Sequence, residues 1–264
     1  VYQGVPGAYS YIAMTRFFGR EVSNFHVPTW RDAMEAVKNG NADYAVLPIE
    51  NSTAGIVADV YDLLQEYNNY IIAETYVKVE HALMGLPGTD ISKITTVYSH
   101  PQGLMQCDGY LSKHKDWQQI SQSNTAGSAK KILEEKDPTH VAIASKEAAE
   151  VYGLEVLQEK INDYDNNTTR FVIVTNTRKF VKGARKMSIV FETPNEAGTL
   201  YNLLSHIIYN GLNMNKIESR PIEGENWNYR FFVDFEGNID DAPVMNALRG
   251  IQEEALSIKL LGNY

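Results

Sequence analysis

The chain has 264 residues, 44% hydrophobic and 22% charged, with a mean hydropathy of −0.32; this composition excludes disorder, and the length accommodates two domains with sizeable cores. Lys and Arg number 24 against 33 Asp and Glu, a net charge of −9, which repels phosphate backbones and anionic membrane surfaces, so neither nucleic acid nor a membrane is an expected partner. The single cysteine, Cys107, allows no intrachain disulfide and points to a reducing, cytoplasmic setting, and no Cys or His pattern suggests a metal.

The opening Val1-Tyr2-Gln3-Gly4 has no apolar signal core and reads as a strand entered partway. Thr29 is an N-cap candidate, and Trp30, Ala33, Met34 and Val37 follow as a helical stripe stopped by Gly40. Ala42–Leu47 is a short apolar run ended by Pro48, as in a buried strand. Val57, Val60, Leu63, Leu64 and Tyr67 form a second helix face, and Ile71–Val79 is strand-like. Ile94–Tyr98 predicts a strand, Leu104, Met105 and Leu111 a helix, Ala126, Ala129, Ile132 and Leu133 another helix, and Val141–Ala144 and Phe171–Val174 two more strands. Such alternation predicts an α/β region with largely parallel strands. After a basic stretch, Lys179–Lys186, come a strand (Met187–Phe191), a helix (Leu200–Tyr209), a strand (Leu212–Arg220), a polar Gly/Asn turn, a strand (Tyr229–Phe235), a helix (Ala242–Ala255) and a strand (Ser257–Leu261). That order is βαββαβ, the ferredoxin-like arrangement.

Polar residues gather where predicted strands run into helices: Gly4–Ser10, Pro48–Gly55, Ser99–Gly103, Asn124–Ser128 and Asn166–Arg170. In open α/β sheets strand C-terminal ends face a ligand-binding crevice, and helix N-termini there offer unpaired N–H groups to carboxylates. Hydroxyls and amides of Ser99, Thr125, Asn51 and Thr169 would add donors of fixed reach. Taken singly, each cluster reads first as an ordinary N-cap. His100, beside Pro101, suits packing or catalysis; Glu50 suits a general acid or a capping carboxylate; Cys107 suits packing better than a nucleophile.

Several of these stretches resemble the prephenate dehydratase family: Gly7-Ala8-Tyr9-Ser10, Pro48-Ile49-Glu50-Asn51-Ser52, Ser99-His100-Pro101-Gln102 with Gln106-Cys107, Asn124-Thr125-Ala126, and Asn167-Thr168-Thr169-Arg170-Phe171. The last third resembles the ACT regulatory domain attached to such enzymes, through Gly198-Thr199-Leu200-Tyr201-Asn202-Leu203-Leu204 and Glu218-Ser219-Arg220-Pro221; Thr199 stands where that motif usually has Ala. The resemblance implies a catalytic region over 1–178 built as two lobes like those of periplasmic binding proteins, one about 1–78 with 160–178 and the other about 79–159. A linker would span 179–185 and a regulatory domain 186–264.

It further implies conversion of prephenate to phenylpyruvate, water and CO2, with no cofactor, in phenylalanine biosynthesis. Thr169 takes the family's essential threonine position. Asn51, Ser99, Gln106 and Glu50 fall on the other catalytic positions, and Ser10, Ser52, Thr125, Arg170 and Phe171 would line the substrate. Inhibition by L-phenylalanine would act through Asn195, Gly198, Leu200, Leu203, Glu218, Ser219 and Arg220, in a homodimer or homotetramer. Arg220 has a simpler reading as the ion-pair partner of Glu218. Three alternatives stand beside this one: a two-lobed solute receptor, an amino-acid sensor without catalysis, and an arogenate dehydratase.

Overall fold

The computed structural model describes residues 1–225 and 227–264; Asn226, in the expected polar turn, lies outside the described residues. The chain begins with β1 (Tyr2–Gln3), α1 (Tyr9–Phe18), β2 (His26–Val27), α2 (Trp30–Lys38), β3 (Ala45–Asn51), β4 (Gly55–Ile56), α3 (Ala58–Glu66) and β5 (Tyr70–Lys78). Next come β6 (Ala82–Gly85), β7 (Thr96–Ser99), two short helices α4 (Pro101–Met105) and α5 (Asp108–Leu111), β8 (Gln118–Ser121), α6 (Thr125–Glu135), β9 (His140–Ala144), α7 (Lys146–Tyr152), β10 (Glu155–Gln158) and β11 (Thr168–Thr175). The remainder is β12 (Lys186–Glu192), α8 (Thr199–Tyr209), β13 (Met214–Pro221), β14 (Tyr229–Glu236), α9 (Ala242–Glu254) and β15 (Ser257–Asn263). The fold is mixed α/β, with its strands in two sheets. Two compact units interleave along the sequence: unit 1 is Val1–Ala33, Val46–Ile56 and Thr75–Phe171, and unit 2 is Met34–Ala45, Val57–Glu74 and Val172–Tyr264.

In unit 1, β1 runs parallel to β2 and β3, and β4 folds back antiparallel on the end of β3. A five-stranded sheet has the order β10-β6-β9-β7-β8. Its β7 is parallel to β8 and β9, whereas β6 is antiparallel to β9 and β10, so the expectation of largely parallel strands is corrected here. Parallel neighbours need long crossovers, usually helical. Helices separate β7 from β8 and β8 from β9, but only a single 3-10 turn, Ile91–Lys93, separates β6 from β7. Residues alternate between two cores: Met84, Tyr98, Ala142 and Ala144 pack with α6 on one face, while Leu83, Val97, Val141 and Ile143 pack with Leu104, Cys107 and Leu111 on the other. A sheet covered on both faces explains the continuous apolar runs in its central strands.

Two expected elements have different bounds. The strand expected at Ala42–Leu47 begins at Ala45 and passes through Pro48 to Asn51. Ala42 N instead bonds Ala36 O at 3.1 Å, closing α2, and a proline's fixed φ is tolerated where only one ladder donor is lost. The helix expected across Leu104–Leu111 is broken at Gln106 and Cys107.

Unit 2 carries the βαββαβ order expected from the last third. Its antiparallel strands run β13-β14-β12-β15, the ferredoxin-like order. Met187, Ile189 and Phe191 of β12 alternate inward and meet Leu203 and Ile207 of α8 and Val244 and Ile251 of α9. The 179–185 stretch is fastened: Val181 N bonds Asn263 O at 3.3 Å and Ala184 is buried. Helix α3 is gripped by the same module. Arg220 Nε and Nη2 reach Asp62 at 3.1 and 2.6 Å, Phe232 packs edge-on against Tyr61 at 4.9 Å, and Lys259 Nζ donates to the carbonyls of Leu64, Gln65 and Tyr67 at 2.8, 2.9 and 2.6 Å. Those carbonyls end the helix, where backbone acceptors lack partners and a cation is favoured.

Candidate active site

The β3–β4 hairpin and the start of β11 hold the first cluster. Asn51 closes β3, and its Oδ1 accepts from Thr53 N (3.0 Å), Thr53 Oγ1 (2.8 Å) and Ala54 N (2.9 Å). An asparagine that satisfies the backbone two residues on is a turn former, which is why the strand reverses here. Its Nδ2 faces the other way and donates to Asn167 Oδ1 at 2.7 Å and Thr169 Oγ1 at 2.9 Å. Ser52 staples the same elements: Oγ donates to Asn166 O and accepts from Thr168 N, both at 2.9 Å, and Ser52 N bonds Thr168 O at 2.9 Å. Glu50 Oε2 lies 3.9 Å from Nη1 of the buried Arg170.

Gln106 enters this cluster from the C-terminal end of α4. Its Nε2 donates to Thr53 Oγ1 at 3.3 Å and its Oε1 lies 2.9 Å from His81 Nε2. His81 Nδ1 in turn lies 3.2 Å from the Tyr9 hydroxyl, whose one hydrogen is shared between that ring nitrogen and Glu80 O at 3.0 Å. Burial pushes the pKa of His81 down, partly offset by the Gln106 bond. Burial pushes that of Tyr9 well up, with Glu147, Cys107 and Glu80 adding to it. The line from Thr169 to Tyr9 is therefore built of uncharged groups at neutral pH, and it offers hydrogen bonds rather than net charge to a ligand.

Ser99 and Thr125 form a second cluster at the other end of α4. Gly103 is what permits it: a Cβ there would sit 2.6 Å from Ser99 Oγ and 3.2 Å from Thr125 Cγ2. Ser99 is fully buried and its hydroxyl donates to Ile143 O at 2.8 Å. Its hydrogen is thus committed to the sheet, which corrects the expectation that it offers a donor to a ligand; the oxygen retains lone pairs. Asn124, not Thr125, caps α6, accepting from Gly127 N at 2.6 Å. His100 caps α4 through Nδ1, 3.2 Å from Gln102 N, and burial lowers its pKa, so it serves as a neutral cap. Cys107 is buried, its thiol pushed up to about 12, which makes it inert as a nucleophile. Ser10 is buried in the first turn of α1, and Phe171 is a fully buried core side chain.

The loop before α1 is fixed from α7. Ser145 Oγ donates to Gly7 O at 2.7 Å and Tyr152 OH to Pro6 O at 2.9 Å. Gly7 has φ +84°, and a Cβ there would lie 2.7 Å from Ala148 Cα, so only glycine fits this approach.

Of the residues expected at the effector site, Gly198 has φ +89° and precedes α8, Leu203 is buried beneath it, and Leu200 packs at the edge of the same core. Asn195 is in the loop before it, and Glu218, Ser219 and Arg220 lie along β13. Arg220 makes its forked bond to Asp62, not the simpler pairing with Glu218.

Thr53, His81, Asn167 and Tyr9 complete the first cluster and were not singled out from the sequence. Tyr9 and Asn167 lie inside the family-like stretches, and Thr53 inside the polar stretch Pro48–Gly55. His81 carried one usable signal, a polar ring placed between two apolar strands.

The prephenate dehydratase family model matches residues 1–179. A bifunctional chorismate mutase/prephenate dehydratase of Neisseria gonorrhoeae is 35% identical over 264 residues, covering 100% of this chain and 73% of that protein. Among solved structures, a prephenate dehydratase from Arthrobacter aurescens in complex with L-Phe superposes with a TM-score of 0.89 at 31% identity, covering 100% of this chain and 89% of that one. A structure described as GqqA, a novel type of quorum quenching acylase, superposes with a TM-score of 0.90 at 32% identity, covering 99% and 95%. Since the matched span holds both polar clusters, from Gly7 to Phe171, the chain belongs to the prephenate dehydratase family.

Proposed function

We propose that this chain is a carbon–oxygen lyase that converts prephenate to phenylpyruvate, water and CO2, with Thr169 donating to the departing hydroxyl. The observation carrying this reading is the Asn51 Nδ2 bond to Thr169 Oγ1 at 2.9 Å. Because the threonine oxygen accepts from Asn51, its own hydrogen is turned elsewhere, and a hydroxyl that accepts one hydrogen bond is a better donor in the next.

Prephenate carries two carboxylates and a ring hydroxyl. The bond from ring to carboxylate breaks and its electron pair enters the ring; the ring C–O bond breaks and hydroxide leaves, taking up one proton to become water. Aromatisation supplies the driving force, so the protein has to orient the carboxylate and hydrogen-bond the departing hydroxide from Thr169, the proton that completes water coming through that hydroxyl from solvent, which returns Thr169 to its starting state. General acid assistance of this kind contributes about 10²–10⁴-fold. Asn51 and Gln106 orient the ring and its hydroxyl. The N–H groups beginning α6, near Thr125, attract a carboxylate, and Ser99 anchors the strand beneath them. Glu50, Ser10, Ser52, Arg170 and Phe171 hold the walls: Ser52 by its staple, Arg170 by its pairing with Glu50.

Residues 1–178 form the catalytic region in this reading, 179–185 the linker and 186–264 an ACT regulatory domain. L-Phenylalanine binds that domain around Asn195, Gly198, Leu200 and Leu203, and Glu218, Ser219 and Arg220 pass its effect to α3 through Asp62. End-product inhibition follows if L-phenylalanine binds the less active state more tightly. The assembly is a homodimer or homotetramer.

Phenylpyruvate and CO2 appearing in equal amounts from prephenate, slowed by L-phenylalanine, are the expected result. Arogenate run in parallel assigns the preferred substrate. Turnover of neither, with binding of L-phenylalanine intact, would leave a sensor. Acyl-amide hydrolysis is disfavoured by the buried Cys107 and the committed Ser99 hydroxyl.

A further inference from the structure

The hydrogen bonds around Thr53 have a direction that can be read link by link. Asn51 Oδ1 receives three donors, two of them backbone N–H groups, so the amide nitrogen faces Thr169. Thr53 has one hydroxyl hydrogen, and it is committed to Asn51 Oδ1 at 2.8 Å. Toward Gln106 the same oxygen can therefore only accept, which it does from Nε2 at 3.3 Å. With its nitrogen turned to Thr53, Gln106 turns its oxygen to His81 Nε2 at 2.9 Å, so that ring nitrogen carries a hydrogen. Donation runs His81 to Gln106 to Thr53 to Asn51 to Thr169. The hydrogen of Thr169 and the second hydrogen of the Gln106 amide remain for a ligand.

We propose that Thr53 is a positioning residue of the reaction: with Asn51 already oriented toward Thr169 by backbone N–H groups, the Thr53 hydroxyl joins the two amides and sets the polarity in which Gln106, alongside Thr169, presents a donor. Neither part of its backbone does this, since the two N–H groups on Asn51 would persist without the side chain while Gln106 would lose its acceptor. The inference rests on the dehydratase reading for its kinetic consequence and on the hydrogen bonds alone for its structural one.

Thr53→Val preserves shape and removes both hydroxyl bonds, and Thr53→Ser restores them. With prephenate as substrate, Thr53→Val is expected to lower kcat about tenfold with KM changed less than about threefold, and Thr53→Ser to return kcat to within about threefold of wild type. Thr53→Val combined with His81→Phe should be about as slow as the slower single variant, because both release the same Gln106 amide. A wild-type kcat in Thr53→Val, a Thr53→Ser variant as slow as Thr53→Val, or losses that multiply in the double variant would overturn the proposal. Hydrogen exchange of the Gln106 side-chain amide, followed by NMR on the full ligand-free chain, needs no turnover. It should quicken in Thr53→Val and not in Thr53→Ser; equal exchange in all three proteins would overturn the polarity even if the dehydratase reading stood, and quickened exchange would support it even if prephenate were not turned over.

Discussion

The Thr169 cluster and the joint around α3 are held by opposite means. From Thr169 to Tyr9 the linking groups are hydroxyls, amides and a neutral imidazole. At α3 the links are charged: Arg220 to Asp62, and Lys259 on three carbonyls. Nearby in unit 2, Lys186 lies 2.6 Å from Glu74. Neutral hydrogen bonds carry direction, since each hydrogen can point only one way, and they respond weakly to salt. Charged links respond to salt and, where burial shifts a pKa, to pH. A site that must present donors to an anionic guest gains from the first kind, and the α3 contacts are of the second.

The sharpest way to break this contrast is Asn51→Asp, which keeps the shape but replaces an N–H donor by an acceptor. Thr169 would then turn its hydrogen toward the carboxylate, and kcat for prephenate should fall by about 10²-fold or more; a small effect would mean that polarity at Asn51 does not matter. Gly7→Ala probes the neutral side through shape. A methyl group 2.7 Å from Ala148 Cα, at φ +84°, should cost about 2–3 kcal/mol in urea unfolding; unchanged stability would show that the loop moves freely off α7. On the charged side, Asp62→Asn should cost about 1 kcal/mol at low salt, because the pair is partly exposed, and less in 0.5 M salt. Equal losses at both salt levels would argue against a charge-based link.

Lys259 gives an effect whose sign can be stated in advance. Burial pushes its pKa from 10.5 down to about 8. Between those values the unfolded chain holds more protons than the folded one, so this group's contribution to stability rises with pH through that window and is flat below it. The melting temperature of wild type relative to Lys259→Met should therefore climb from pH 8 to pH 10. A difference that stays constant or falls would contradict the shift.

Periodicity made most elements legible. The stripe Trp30, Ala33, Met34, Val37 became α2, started by a reciprocal bond pair in which Thr29 N donates to Asp32 Oδ2 and Asp32 N to Thr29 Oγ1, and the alternating Met187–Phe191 became β12. Among the elements that escaped are α1, α7, the short strands β2, β4 and β6, and β8 and β10, the edge strands of the five-stranded sheet, whose residues are mostly exposed and so carry no apolar alternation. At the site, Asn51, Gln106 and Thr169 stood out through motifs, and the structure brings them into one network. His81 did not, because its partners Gln106 and Tyr9 lie 25 and 72 positions away and no local pattern records such a meeting; Thr53 and Tyr9 lie in polar stretches that gave them no role. Ser99 shows the reverse: its place in a motif was legible, but the direction of its hydroxyl toward Ile143 O required the β7–β9 pairing.

Phenylpyruvate formation from prephenate by the wild type, Thr169→Val and Thr169→Ser, with melting temperatures measured alongside, bears most directly on the proton-donor role. Thr169→Val should lose about 10²–10⁴-fold in kcat while remaining folded, and Thr169→Ser should retain part of the activity. A folded Thr169→Val variant that turns over prephenate at close to the wild-type rate would contradict the account.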